Sequence, residues 1–161
     1  MTTASPTRRL RRPKPAPTWY SLARVTGPRQ ALWVRGTDHT RWVKCGADWD
    51  AVAITPLALG LDALAGLGLG VRSGYPVLAD RVRGILYVLV PAGDGAMAAA
   101  VPGVRALTRG DELLMPCTDD GTPSAHWVSP PRAAAPLLVP ADRLAEQLQD
   151  LVADRRRVVT P

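Results

Sequence analysis

The clearest periodicity in the chain lies late in the sequence. Leu144, Leu148, Leu151 and Val152 recur at helical spacing among charged residues, predicting an amphipathic helix over 142–156. Arg155, Arg156 and Arg157 complement the negative end of that helix's dipole. A second helix is expected over 56–67, where Leu57, Leu61 and Leu64 share one face. Thr55 is its expected N-cap, Pro56 stands at the first helical position, and the glycines at 66, 68 and 70 terminate it.

Shorter apolar and β-branched runs read as strands. Residues 31–35 and 41–44 flank a polar loop as a hairpin, with Trp33 and Trp42 as a cross-strand pair. Residues 75–79 and 84–90 flank the polar turn 80–83, and the nearly unbroken apolar return run predicts a central strand. Further strands are expected at 51–54, 112–115 and 126–129, and a helical turn at 96–100. With hairpins dominating, the fold expected is α+β: a mixed or antiparallel sheet of about six strands packed by two or three helices. Leu61, Leu64, Leu86, Val88, Leu114, Leu148 and Leu151 are its expected core.

Proline at positions 6, 13, 15 and 17 denies residues 1–17 a helix or a ladder, so this stretch reads as a disordered arm preceding a single domain over 18–161. Charge changes the picture of that arm. Arg8, Arg9, Arg11, Arg12 and Lys14 carry five of the formal +6 charges with no acidic residue among them, leaving the body at about +1. These five are the expected nucleic-acid contacts. The apolar stretch 51–71 is interrupted by Pro56, Asp62 and several glycines, which argues against a membrane span. Cys45 and Cys117 share no metal or redox spacing, and no secretory signal is recognised, so free thiols in a cytoplasmic protein are expected.

Candidate chemistry is sparse. Asp48 and Asp50 form a DxD pair, the spacing by which a strand can present two carboxylates to a metal; solvated turn carboxylates are the plainer reading, so no metal site is assigned. Asp119 and Asp120 read likewise as turn residues, and neither His39 nor His126 has a ligand partner at metal-binding spacing. Gly66, Gly68 and Gly70 follow a helix, where a phosphate-cradling loop would precede one. Arg81 and Arg83 in one turn, with Arg105 and Arg109 in a later loop, form an anion site if those loops are neighbours. No catalytic residue and no cofactor is assigned. The tryptophans at 19, 33, 42 and 49 read mainly as core and hairpin packing, with an exposed protein-binding patch as the other outcome.

Two segments carry a family resemblance. Arg83, Gly84, Ile85, Leu86, Tyr87 and Val88 are similar to a strand block, and Arg109, Gly110, Asp111 and Glu112, the apolar run to Pro116, and His126, Trp127 and Val128 to a following block, of one family. Over residues 45–131 the chain resembles a degenerate, truncated member of the bifunctional DNA primase/polymerase N-terminal (prim-pol) family, as found in short actinobacterial proteins. The family's phosphate-binding histidine falls on Ile85, and its metal-binding acidic pair falls near Ala53 and Thr55. In-line nucleotidyl transfer without paired carboxylates loses its main electrostatic support, so the resemblance implies a fold kept without the chemistry. The expectation is a non-catalytic accessory protein that binds nucleic acid weakly through its arm, or a nucleotide. A protein-interaction or regulatory module without a nucleic-acid role is the alternative.

Overall fold

A computed structural model describes residues 40–70, 72–116, 121–131 and 137–160. The described chain is α+β, with strands β1 (Thr40–Lys44), β2 (Trp49–Ile54), β3 (Val77–Asp80), β4 (Ile85–Pro91), β5 (Val104–Leu107), β6 (Glu112–Pro116) and β7 (His126–Ser129). Helix α1 (Leu57–Gly66) follows β2, helix α2 (Ala141–Val159) follows β7, and a short 3-10 helix (Gly95–Ala98) lies between β4 and β5. The arm residues 1–17 and the expected hairpin strand at 31–35 lie outside the described residues.

Five strands form an antiparallel sheet in the order β5-β2-β4-β3-β7, and β1 and β6 form a separate antiparallel ribbon. The central sheet is covered on both faces, which is why residues 51–54 of β2 and 85–90 of β4 read as apolar runs rather than as an alternation. On one face Val52, Ile54, Leu86, Val88 and Val90 pack with Leu59, Ala63 and Leu64 of α1 and Leu144 and Leu148 of α2. On the other, Trp49, Ala51, Leu78, Leu89 and Trp127 meet Val43, Leu113 and Met115 of the ribbon.

The ribbon is reached through two corners that touch. Neighbouring strands β2 and β5 lead to β1 and β6 through turns at 45–48 and 108–111. Cys45 N–H donates to the Asp111 carbonyl at 3.0 Å, and Gly46 N–H to the Trp49 carbonyl at 2.8 Å. Gly46 adopts φ +90°, and a Cβ there would stand 2.6 Å from the Arg109 Cα, so both its dihedral and the close backbone approach demand glycine. The Asp111 carboxylate accepts from Thr108 N–H at 2.9 Å and closes the second corner.

Several expectations change in detail. Pro56, not Thr55, occupies the N-cap of α1, and no side chain caps the helix; the Thr55 N–H donates to the Gly103 carbonyl instead. Leu64, Leu86, Val88 and Leu148 are buried, but Leu61 is exposed, because the face of α1 turned to the sheet is Leu59, Gly60, Ala63 and Leu64. Leu114 and Leu151 are half-buried. Register explains the first: Leu113 and Met115 point at the sheet, so Leu114 points away beside Trp42. Strand β5 was expected as loop, being only four residues of sequence VRAL at the sheet edge. Among the described strands the partner of β1 is β6, and Trp42 faces Leu114. Within the described residues no helix is long and apolar enough to cross a membrane.

Candidate functional site

Cross-strand register places Arg105, Ala53, Tyr87, Leu78 and Trp127 in one row across all five strands of the sheet. Directly opposed residues of antiparallel strands share a face, so the row lies on the ribbon side, where Leu78 and Trp127 join the ribbon core. Toward β5 the row becomes polar: Arg105 is exposed and Tyr87 half-buried, with the small Ala53 between them.

Asp80 ends β3 on the same face as Leu78 and is only 2% exposed. Its carboxylate accepts from the Arg83 backbone N–H at 2.9 Å and from Arg83 Nη1 at 3.1 Å, which turns the tight β3–β4 connection. Burial, and secondarily the Asp80 charge, raise the Tyr87 phenol above its ordinary pKa, while Arg105 and Arg83 pull it back. Both guanidinium groups therefore act on the same phenol. This end of the sheet combines an aromatic surface, two arginines and a carboxylate already held by one of them.

The four arginines expected as an anion cluster divide three ways. Arg83 and Arg105 are brought to the Tyr87 end of the ribbon-side face. Arg81 extends away from it, its Nε donating to His126 Nε2 at 3.2 Å. Arg109 sits against Gly46 at the corner that enters the ribbon, toward the Pro91 end of β4, because β5 runs alongside β2 in the opposite sense. Arg105 stands on a strand and not in a loop, so its position is set by ladder register.

Asp50 is not a solvated turn carboxylate. It lies within β2 at 1% exposure, on the helix-side face, and its Oδ2 accepts from Gly93 N–H at 3.0 Å and Gly95 N–H at 3.1 Å. Asp48 is exposed in the preceding turn. Strand alternation thus gives the DxD pair different surroundings, and Asp50 anchors the segment between β4 and the 3-10 helix. Among the described residues no group of three His, Cys, Asp or Glu side chains could hold a metal ion. Cys45 is buried, and desolvation, then Asp111, Asp50 and Glu112, push its thiol up to about 12, the opposite of an activated nucleophile. Burial and the Arg81 charge lower the His126 pKa, an effect partly offset at the Ala79 backbone. His39, Cys117, Asp119, Asp120, Trp19, Trp33 and the arm residues Arg8, Arg9, Arg11, Arg12 and Lys14 lie outside the described residues.

Ala53, Ile85 and Tyr87 share the ribbon-side face, on the neighbouring strands β2 and β4. Sequence reading does not single out Tyr87 or Asp80 as site residues. The signal available was a lone tyrosine in an otherwise aliphatic central strand, together with an acid three residues before an arginine in a tight turn.

Fold and site thus define an α+β protein with a five-stranded antiparallel sheet, helices on one face, and a ribbon that leaves one end of the other face polar. Comparison with protein-family models, with curated proteins and with solved structures found no match in any of the three.

Proposed function

We propose that this chain is a non-catalytic, prim-pol-like accessory protein that binds nucleic acid or a nucleotide. The Tyr87 end of the sheet provides the folded contact, and the basic arm supplies most of the charge. The observation that supports this reading is that Arg83 and Arg105 both bear electrostatically on one half-buried tyrosine at the polar end of the ribbon-side face. A tyrosine face stacks on bases and arginines neutralise phosphates, a combination that is tolerant of sequence. The neighbouring carboxylate, Asp80, is hydrogen-bonded by Arg83, and the positions where the resemblance puts metal ligands hold Ala53 and Thr55.

The test is anisotropy of labelled duplex and of labelled oligothymidylate across salt concentrations. It compares the full chain, a form with Arg8, Arg9, Arg11, Arg12 and Lys14 all changed to Gln, and an Arg105→Gln variant. If all five arm charges meet duplex phosphates, the slope of log K against log salt is about −4 to −5 and nearly vanishes in the arm variant. Arg105→Gln should weaken single-strand binding about threefold to tenfold beyond the arm's contribution. Sequence-selective duplex binding by the arm variant would contradict the proposal.

A second reading, a protein-interaction module, is favoured by Trp42, which is 64% exposed on the outer face of the ribbon beside Leu114. Failure of every form to bind either oligonucleotide at low salt would support that reading instead.

A further inference from the structure

On the other side of the sheet, between α1 and the β3–β7 edge, lies a half-open cleft of about 370 Å³ lined by Leu61, Leu64, Tyr75, Val77, Val128 and Ser129, among others. Among the described residues its walls are apolar and carry no charged side chain. Ser129 does not belong there by simple alternation. With Trp127 in the ribbon-side core, Val128 should face the helices and Ser129 the ribbon. The pairing of β3 with β7 is irregular at this point: Leu78 faces Trp127 but Val77 faces Ser129, so two residues of β7 oppose one of β3. Such a bulge re-aims a side chain, and it brings Ser129 into the cleft together with Val128.

Ser129 is 3% exposed, and among the described residues its Oγ has no hydrogen-bond partner. A buried hydroxyl without a partner costs free energy that a ligand group supplying one would recover. We propose that this cleft binds a compact, uncharged, mostly hydrocarbon molecule whose single carbonyl or hydroxyl hydrogen-bonds Ser129 Oγ. An ion is disfavoured because it would shed its hydration with no counter-charge in the lining. Size follows from volume: an apolar cavity of about 150 Å³ accepts benzene, so the space here suits up to ~15 non-hydrogen atoms, the scale of a substituted bicyclic ring. The volume also falls in the ordinary range of small-molecule sites. The cleft lies on the helix side of the sheet and Tyr87 on the ribbon side, so this inference does not rest on the nucleic-acid reading.

The test titrates 2-acetylnaphthalene and its carbonyl-free counterpart 2-ethylnaphthalene into the full chain, reading chemical shifts of the Leu64, Val77 and Val128 methyls. The ketone is expected to bind about threefold to tenfold more tightly, the value of one neutral hydrogen bond. Ser129→Ala should level the two probes. Leu61→Trp, at an exposed rim position that tolerates substitution, should weaken both by at least about tenfold by filling the space, and it keeps the test decisive should Ser129→Ala fail to fold. Absence of shifts at these methyls up to the solubility limit would overturn the proposal, as would a ketone preference that survives Ser129→Ala or binding indifferent to Leu61→Trp.

Discussion

Removing the Asp50 carboxylate tests the most consequential change of role between sequence and structure. Its Oδ2 holds the N–H groups of Gly93 and Gly95 at 3.0 and 3.1 Å, and its Oδ1 is buried without a partner among the described residues. Two hydrogen bonds to a charged acceptor, at about 1.5–3 kcal/mol each, set an upper limit near 6 kcal/mol for Asp50→Ala. Part of this is offset because the variant no longer buries a charge with one oxygen unsatisfied, leaving an expected loss of about 2–4 kcal/mol. Gly95 is buried, so its N–H cannot simply turn to water, whereas the exposed Gly93 can. For a chain of this length the loss lowers Tm by roughly 5–15 °C. Asp50→Asn keeps one oxygen for both donors at neutral strength and replaces the unpartnered Oδ1 with an amide nitrogen, so about 1–2 kcal/mol is expected. Urea unfolding gives both values, and hydrogen exchange at Gly95 reports the local loss. A destabilisation below about 0.5 kcal/mol in Asp50→Ala would refute the anchoring argument. So would a wild-type Tm that rises with magnesium while the variant's does not, since that would return Asp50 to a metal site.

Two further outcomes follow from titrating groups. In a Cys117→Ser background the native Cys45 thiol should resist a thiol reagent at pH 8 and react once the chain is unfolded. Its folded pKa of about 12 lies above the ordinary thiol value of 9.0, so stability is unaffected below about pH 9 and falls as pH rises from there toward 12; urea midpoints across that range check it. His126 titrates below its ordinary 6.5, so the unfolded chain binds its proton first and stability is lost as pH falls through that value. Arg81→Gln removes one cause of the shift and should raise the His126 pKa toward 6.5 in an NMR titration. An unchanged or lowered value would contradict the placement of Arg81 against the ring.

The amphipathic stripe of Leu144 and Leu148, the glycine-terminated helix after 51–54 and the polar turn between two apolar runs were legible in the sequence, because each is a local periodicity or turn preference. The unbroken apolar run at 85–90 likewise announced a central strand. What local pattern does not carry is register. Whether Asp50 faces solvent or two buried amides depends on the segment 93–95 folding back over β2, more than forty residues later in the chain. Arg105 shares a row with Tyr87 only because β5 and β4 flank β2 with Ala53 in common, and Arg109, four residues on, is carried toward the other end by the same ladder. Ser129 enters its cleft through one irregular pairing that no alternation of residues reveals. Composition and periodicity determined most of the elements but not the edge strand β5; the tertiary structure alone decided which polar side chains meet. The physical reason is that strand pairing joins residues far apart in sequence, and a shift of one residue reverses the face each side chain occupies.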